Sequence, residues 1–246
     1  MKKHVLPLLN LQKQEPFEYN TEGHLDVHSV FYTIQGEGPL AGSPAVFVRL
    51  AGCNLRCPLC DTDYTSTRKM YSPEELLKQV IQESRHVRGI IRPIIVLTGG
   101  EPFRQNFSPF VQMAQLRGYK VQIETNGTLW LDDFLDIIPK PMIVCSPKTS
   151  TLHPKIIPHI DALKYILSYT SGYDARGIPR HPLGMGESPC QPWQGDWTSF
   201  QGEIYIQPLD EKDEEKNREN VQCAVACCML HGYRLCLQIH KQLGME

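Results

Sequence analysis

The chain has 246 residues, of which 41% are hydrophobic and 21% charged, and its formal net charge is −2. This length suits one α/β domain with a buried core, and the near-neutral charge gives no indication of a nucleic-acid backbone as a direct partner. No apolar run approaches the roughly 20 residues that a membrane span needs. The first 20 residues lack a long apolar core and a small-residue cleavage site, so we expect no signal peptide and a cytoplasmic protein.

Alternating strand and helix patterns follow a polar, irregular N-terminal extension at residues 1–24. Short runs rich in β-branched residues predict strands at 45–50, 94–98, 120–124, 142–145, 162–167, 203–207 and 234–239. Several of these runs are almost continuously apolar, which is typical of parallel strands covered on both faces.

Helices are predicted between many of these strands. The clearest begins after Ser72, because Ser72, Pro73 and Glu75 form a capping-box signature. An apolar stripe at helical spacing follows it, made of Leu76, Leu77, Val80 and Ile81. Further helices are predicted at 108–116, 131–138 and 211–231. The alternation favours right-handed βαβ units and an open or closed barrel-like sheet within one domain, residues 25–246.

One stretch interrupts this alternation. Residues 168–202 are rich in glycine, proline and tryptophan, and we interpret them as a long insertion or lid within the domain.

Three of the nine cysteines, Cys53, Cys57 and Cys60, lie in one loop directly after a predicted strand. Three thiolates without an obvious fourth ligand leave one metal position open, as an iron–sulfur cluster that binds a small molecule requires. The alternative is a structural zinc site whose fourth ligand is remote, such as His86 or another cysteine. Most of the other cysteines lie in apolar patterns and are expected to be buried, whereas the role of Cys190 stays open.

The spacing Cys53-x3-Cys57-x2-Cys60 resembles the cluster motif of the radical S-adenosylmethionine (SAM) superfamily. Residues 98–102, Thr-Gly-Gly-Glu-Pro, resemble a second mark of that superfamily and follow a predicted strand. Taken alone, this segment is simply a sharp turn between a strand and a helix. The superfamily implies an α/β fold, a partial or modified TIM-like (β/α) barrel with about six parallel strands and an active site at their carboxyl ends.

A closer resemblance, to the 7-carboxy-7-deazaguanine synthase family, extends over most of the chain from about residue 29. It is carried by short blocks at compatible spacing, at residues 31–38, 42–50, 61–65, 124–128, 146–148, 205–210 and 234–241. The family implies a lyase that converts 6-carboxy-5,6,7,8-tetrahydropterin to 7-carboxy-7-deazaguanine with release of ammonia, in queuosine and 7-deazapurine biosynthesis. The implied cofactors are a 4Fe–4S cluster, SAM and Mg²⁺, and SAM cleavage there gives a 5′-deoxyadenosyl radical.

The same resemblance implies roles for individual residues. The cluster ligands would be Cys53, Cys57 and Cys60, and Thr62 would bind Mg²⁺. The pterin would contact Ile34, Gln35, Gly36, Arg49 and Thr98, with Arg49 placed to bind its carboxylate. SAM would contact Leu59, Cys60, Asp61, Gly100, Glu101, Ser146, Pro147, Lys148, Gln207 and Asp210. Leu59 departs from the family, in which an aromatic residue is common at this position, so stacking on the adenine would be lost.

Two rival functions stay open from the sequence. One is a radical SAM activating enzyme that installs a glycyl radical on a partner protein, which needs neither Arg49 nor Thr62. The other is a non-enzymatic iron–sulfur or zinc module. Family resemblance further implies a homodimer and a flavodoxin or ferredoxin as reductant, whereas the end use of the product is not indicated.

Overall fold

A single nine-stranded sheet forms the centre of the computed structural model, which describes residues 10–85, 87–89, 92–181, 191–195 and 200–245. The strands are β1 (Leu25–Ile34), β2 (Pro44–Leu50), β3 (Lys69–Tyr71), β4 (Ile94–Gly99), β5 (Val121–Thr125), β6 (Met142–Cys145), β7 (Ala162–Leu167), β8 (Glu203–Pro208) and β9 (Arg234–Leu235). Their order across the sheet is β3-β1-β2-β4-β5-β6-β7-β8-β9.

The sheet is parallel from β2 to β9 and antiparallel at its β3-β1-β2 end. No ladder joins β3 to β9 within the described ranges, so the hydrogen-bonded sheet stays open. The predicted α/β class and partial barrel with mainly parallel strands are therefore confirmed, with β9 as a very short addition to the six expected strands. Each of the other six predicted strands begins and ends within about one residue of its predicted bounds.

Two strands were not predicted, and one was predicted too long. The pattern of β1 is broken by the polar residues Asp26, His28 and Ser29, and β3 has only three residues. The predicted strand at 234–239 ends after Leu235, because the chain then leaves the sheet. The amide of Ile239 donates to the carbonyl of Gly36 at 3.1 Å. The short helix α4 (Ile239–Gln242) begins at this residue.

The longer helices are α1 (Pro73–Glu83), α2 (Ser108–Leu116) and α3 (Glu214–His231), and side-chain caps begin α1 at Ser72 and α3 at Asp213. The predicted capping box is present before α1, where Ser72 and Glu75 bond each other's backbone amides at 3.3 and 2.9 Å. Ile81 was assigned to the apolar stripe of α1, but its side chain is exposed. It lies at the edge of the stripe, beyond the part that the sheet covers.

The predicted helix at 131–138 is a short 3₁₀ helix, Asp132–Asp136, rather than an α-helix. Pro139 and Pro141 follow closely and cannot continue helical hydrogen bonding. There is too little chain before them for a stable α-helix to form.

Each strand presents alternate residues to opposite faces of the sheet. On β4, Ile95 and Leu97 join the main hydrophobic core with Leu76, Phe110 and Ala224 from the three long helices. Of the non-cluster cysteines that the structure describes, all but Cys223 are buried, as expected, and Cys190 lies outside the described residues. None of the helices in the described part of the chain is both long and apolar enough to cross a membrane.

Candidate functional site

A cavity of about 450 Å³ opens on the sheet face opposite the main core, at the carboxyl ends of the parallel strands. Most of the residues predicted for the site line this one cavity. They are Gln35, Arg49, Cys53, Cys57, Leu59, Cys60, Asp61, Thr62, Thr98, Gly100, Ser146, Lys148, Gln207 and Asp210. Four of the predicted residues do not line it, namely Ile34, Gly36, Glu101 and Pro147.

The cysteine loop leaves β2 through Gly52, whose φ of +78° is a conformation that glycine adopts readily. All three thiols line the cavity, and Cys53 is buried. Burial raises the pKa of each thiol, to about 12 for Cys53, where the Glu101 charge adds to the effect. Metal binding therefore has to release these protons, because thiolates rather than thiols are the ligands.

The donor set fits a multi-iron cluster better than a single ion. No fourth cysteine lines the cavity among the described residues, and within the same ranges no three His, Cys, Asp or Glu side chains converge on one point. In a 4Fe–4S cluster each thiolate binds a different iron, so convergence on one point is not required. A structural zinc ion needs that convergence. His86, which the sequence offered as a zinc ligand, lies outside the described residues.

The turn after β4 lies directly against the cysteine loop. The amide of Gly100 donates to Leu50 O, and the amide of Glu101 donates to Gly52 O, both at 3.0 Å. A Cβ on Gly100 would lie 1.8 Å from Gly52 O, so only glycine fits. A Cβ on Gly99, which has φ +114°, would lie 2.2 Å from Leu50 O. The two glycines therefore set the distance between this turn and the cluster loop.

Glu101 lies behind the cavity and is fully buried. Its carboxylate accepts hydrogen bonds from the Thr125 hydroxyl at 2.6 Å, the Asn126 amide at 2.8 Å and the Phe103 amide at 3.0 Å. Burial raises its pKa to about 7, although these three donors oppose the rise. In this geometry Glu101 joins the β4 turn to the end of β5, and its oxygens are already occupied by protein donors.

Gly36 and Pro147 also support the site from behind. A Cβ on Gly36 would lie 1.9 Å from Nδ1 of His240, so this glycine makes room for an imidazole that itself lines the cavity. Pro147 is buried between Ser146 and Lys148. The Lys148 ammonium donates to the Ser146 hydroxyl at 2.6 Å, and burial lowers the pKa of Lys148, partly offset by Cys57.

A buried charge cluster that the sequence analysis did not assign lies at the end of the cavity formed by β5 and β7. Lys164 of β7 contacts the carboxylate of Glu37, and its Nζ lies 3.9 Å from that of Glu124. Burial would lower the pKa of Lys164, but the two carboxylates more than offset it and raise the pKa. Burial would raise the pKa of Glu37, but Lys164 holds it below its ordinary value. A lysine inside the apolar run ALKYIL was the sequence signal for this cluster.

Glu124 is also held by uncharged residues of the predicted pterin site. Gln35 Nε2 donates to its carboxylate at 2.9 Å, and the Thr98 hydroxyl donates at 3.5 Å. Side chains from β4, β5, β7 and the end of β1 therefore meet at one carboxylate, which faces the cavity with hydrogen-bonding capacity left for a ligand.

Arg49 of β2 also lines the cavity, with its guanidinium 5.3 Å from the centre of the Phe31 ring. Its Nε is covered by the protein and has no hydrogen-bond partner in the described part of the chain. A cavity-lining guanidinium held against an aromatic ring is well suited to bind a carboxylate.

The segment after β9 supplies a second set of residues that the sequence analysis left unassigned. Lys241 Nζ bonds Asp210 at 2.9 Å and Asp61 at 3.2 Å. Gln238 Nε2 donates to Glu37 at 2.7 Å. The predicted cofactor residues Asp61 and Asp210 are therefore fixed by a segment that follows them by at least 28 positions, and Lys241 contributes to lowering the pKa of both, to about 2 for Asp210.

Comparisons with known proteins agree with this geometry. The Radical SAM superfamily profile matches residues 48–151, which include the cysteine loop and the β4 turn. A 7-carboxy-7-deazaguanine synthase from Rhodospirillum rubrum is 43% identical over 226 residues, covering 88% of this chain and 91% of that protein. A second, from Rickettsia prowazekii, is 36% identical and covers 90% and 89%.

Fold similarity points the same way. The crystal structure of QueE from Escherichia coli superposes with a TM-score of 0.64 at 21% identity, covering 87% of this chain and 94% of that one. At this identity the likeness establishes the fold, whereas the two sequence relatives establish the family. The chain belongs to the 7-carboxy-7-deazaguanine synthase family of the radical SAM superfamily.

Proposed function

We propose that this protein makes 7-carboxy-7-deazaguanine, the product that its relatives' name gives. As the family resemblance implies, the substrate would be 6-carboxy-5,6,7,8-tetrahydropterin and ammonia would be released. The observation that carries the proposal is the joining of two sites in one cavity. Three thiols line it, and so do Arg49 and the charged side chains of Glu37, Lys164 and Glu124. Such a cavity suits a reaction in which a cluster-bound cofactor acts on a small, planar, carboxylated substrate.

The thiolates of Cys53, Cys57 and Cys60 would hold the cluster that superfamily membership implies. When bound, the cluster and SAM supply a 5′-deoxyadenosyl radical that abstracts hydrogen from the substrate. The side chains proposed to contact SAM in the cavity are Leu59, Cys60, Asp61, Gly100, Ser146, Lys148, Gln207 and Asp210. Glu101 and Pro147 would act from behind the cavity, by fixing the turns that carry these contacts.

Two side chains of opposite charge, those of Arg49 and Glu124, would orient the substrate by its two ends. Arg49 would bind the carboxylate, because it lines the cavity and a guanidinium can make two parallel hydrogen bonds to a carboxylate. The carboxylate of Glu124, held by Gln35 and Thr98, would accept hydrogen bonds from the amino and ring N–H groups of the pterin edge. Ile34 and Gly36 would support Gln35 rather than contact substrate directly.

Mg²⁺ is proposed to bind at Thr62. The Thr62 hydroxyl lies 3.4 Å from the Asp61 carboxylate and lines the cavity, so two hard oxygens are available close together. A magnesium ion commonly takes few protein oxygens and completes its coordination with water and substrate.

A homodimer and a flavodoxin or ferredoxin as reductant stay predictions from the family. A cytoplasmic location, the N-terminal extension and the 168–202 insertion stay predictions from the sequence pattern. Of the insertion, Trp193 contacts the domain, since Tyr165 donates to its carbonyl at 2.7 Å.

Product identity tests the proposal. Anaerobically reconstituted protein is incubated with SAM, a reductant and the carboxypterin, and the products are analysed by mass. We expect 7-carboxy-7-deazaguanine and ammonia in equal amounts. Reductive SAM cleavage without deazaguanine would instead support the glycyl-radical activating role, and a single zinc without iron would support a binding module.

A further inference from the structure

Residues 10–18, which we call the strap, run along the side of the cysteine loop that does not line the cavity. The strap amides of Asn10 and Glu15 donate to the carbonyls of Pro58 and Cys53, at 2.9 and 2.8 Å. Three side-chain amides add bonds to the carbonyls of other residues of this region. These run from Asn10 to Cys57 at 3.1 Å, from Gln12 to Thr62 at 2.9 Å and from Gln14 to Asn54 at 3.3 Å.

Gln12 makes three hydrogen bonds to the segment that follows Cys60. Besides donating to Thr62 O, its amide oxygen accepts from the Tyr64 amide at 2.8 Å and from the Thr65 hydroxyl at 3.1 Å. Asn10 Nδ2 is also 3.3 Å from the Tyr64 hydroxyl, and the Tyr64 side chain is 1% exposed. Asn10 and Gln12 therefore fix the second half of the cysteine loop, at Cys57 and Pro58, and the segment that leaves it.

A buried arginine anchors the strap. Arg104, two residues after the Gly-Gly-Glu-Pro turn, has a side chain that is 1% exposed. It donates to Pro16 O at 3.1 Å and forms ion pairs with Glu15 at 3.3 Å and Glu18 at 3.1 Å. A Cβ on Gly52 would lie 2.6 Å from both Arg104 Nη2 and Glu15 Oε2. The strap, the β4 turn and the start of the cysteine loop are thus packed together without space for another side chain.

The cysteine loop has little structure of its own. Between Cys53 and Cys60 the described backbone forms one internal backbone hydrogen bond, from the amide of Cys60 to Cys57 O at 3.1 Å. A loop without a helical or strand ladder owes its conformation to neighbouring groups. Here, among the described residues, the strap donates four of the six hydrogen bonds that the backbone carbonyls of the loop accept.

We propose that the strap is part of the cluster site, and that Asn10 and Gln12 are positioning residues that hold the three thiolates at the spacing a cluster needs. Groups that contact the metal ligands, and not the metal itself, orient those ligands and are commonly needed for metal binding. This inference rests on the cluster site and is independent of which substrate the enzyme converts.

The test uses reconstituted full-length protein and measures loss of cluster iron to a chelator, followed by the visible absorbance of the cluster. Gln12→Ala and Asn10→Ala should lose iron about 10-fold faster than the unsubstituted protein. Leu11→Ala is the matched control, because Leu11 lies between them with a side chain that is 84% exposed. Equal rates in all variants would overturn the proposal.

A second measurement needs no cluster. In the apoprotein, amide hydrogen exchange at Tyr64 should accelerate in Gln12→Ala, while exchange in β4 stays unchanged. Gln12→Glu keeps the acceptor for Tyr64 but loses the donor to Thr62, so Tyr64 should stay protected while iron loss is still faster than in Leu11→Ala. This variant decides the matter if Gln12→Ala does not fold. Iron loss from Gln12→Glu at the control rate would then contradict a positioning role.

Discussion

The hydroxyl of Thr125 donates a 2.6 Å hydrogen bond to the carboxylate of Glu101, and this contact joins the ends of β4 and β5 beneath the cavity. Both groups are buried, so neither can exchange its partner for water. The cluster loop packs on the β4 turn, and therefore its position depends on this contact.

Glu101→Gln should lower the free energy of unfolding by about 1–3 kcal/mol. The substitution replaces one carboxylate oxygen by an NH₂ group. This group then points either at the Asn126 amide or at the two donors on the other oxygen, so a buried donor loses its acceptor. Thr125→Val should cost less, about 1 kcal/mol, because the carboxylate keeps two donors. Denaturant unfolding of the apoprotein measures both. Glu22→Gln is the control, since the Glu22 side chain is 77% exposed, and equal stability of Glu22→Gln and Glu101→Gln would contradict the assignment.

The pH dependence of stability should carry the signature of Glu101. Burial raises its pKa to about 7 in the folded protein from its ordinary value of 4.5, so the folded state holds the proton over this interval. The contribution to stability is complete below about pH 4.5 and is lost as pH rises through about 7. The stability difference between the unsubstituted apoprotein and Glu101→Gln should therefore shrink over that interval. A constant or growing difference would show that Glu101 is ionised throughout.

Lys164→Met should lower the free energy of unfolding by about 3–5 kcal/mol, because it leaves the carboxylates of Glu37 and Glu124 buried without their cation. The double variant Lys164→Met with Glu37→Gln should recover part of this loss, since one uncompensated charge is removed. Denaturant unfolding at neutral pH measures the cycle. Additive losses in the double variant would mean that the two residues do not interact.

Arg49→Met should weaken binding of the carboxypterin by about 10- to 100-fold, the range expected when a charge-assisted hydrogen bond is lost. Binding of a pterin that lacks the carboxyl group should change little, and so should SAM binding. Equilibrium binding to the reconstituted protein measures all three. Arg117→Met, on an exposed residue after α2, is the control. An equal loss for both pterins would place the carboxylate elsewhere.

Gly100→Ala should prevent stable cluster assembly, because its Cβ would lie 1.8 Å from Gly52 O and push the β4 turn away from the cysteine loop. Gly42→Ala is the informative comparison, since Gly42 has φ +87° but no atom within 4 Å of the added Cβ. That variant should carry only the backbone strain, about 1–2 kcal/mol, and assemble its cluster normally. Iron and sulfide analysis after reconstitution distinguishes the two, and a full cluster in Gly100→Ala would refute the close-packing argument.

Local sequence signals predicted the elements whose structure is decided locally. The capping box at Ser72 and Glu75 lies within four residues, and the prolines after Asp136 explain why the helix predicted at 131–138 became a short 3₁₀ turn. The same reasoning missed β1, because a strand with polar residues on one face does not resemble the buried parallel strands of this sheet.

Short sequence motifs predicted only part of the candidate site. Cys53, Cys57 and Cys60 and the glycines of the β4 turn were identified because their spacing is short and characteristic. The contact of Glu101 with SAM stays a prediction, and in the structure its oxygens accept hydrogen bonds from Thr125 and Asn126. The contacts of Lys241 with Asp61, and those of Gln12 with Thr62, join residues far apart in sequence, so only the folded chain reveals them.

The most direct test of the central claim is whether the cluster binds SAM through an iron that no cysteine holds. Reduced, anaerobically reconstituted protein with about four iron per chain is mixed with SAM isotopically labelled at its methionine amino nitrogen and studied by electron paramagnetic resonance methods. We predict hyperfine coupling between the label and the cluster, lost when Cys57 is changed to alanine. A fully loaded cluster whose spectrum SAM leaves unchanged would contradict this account.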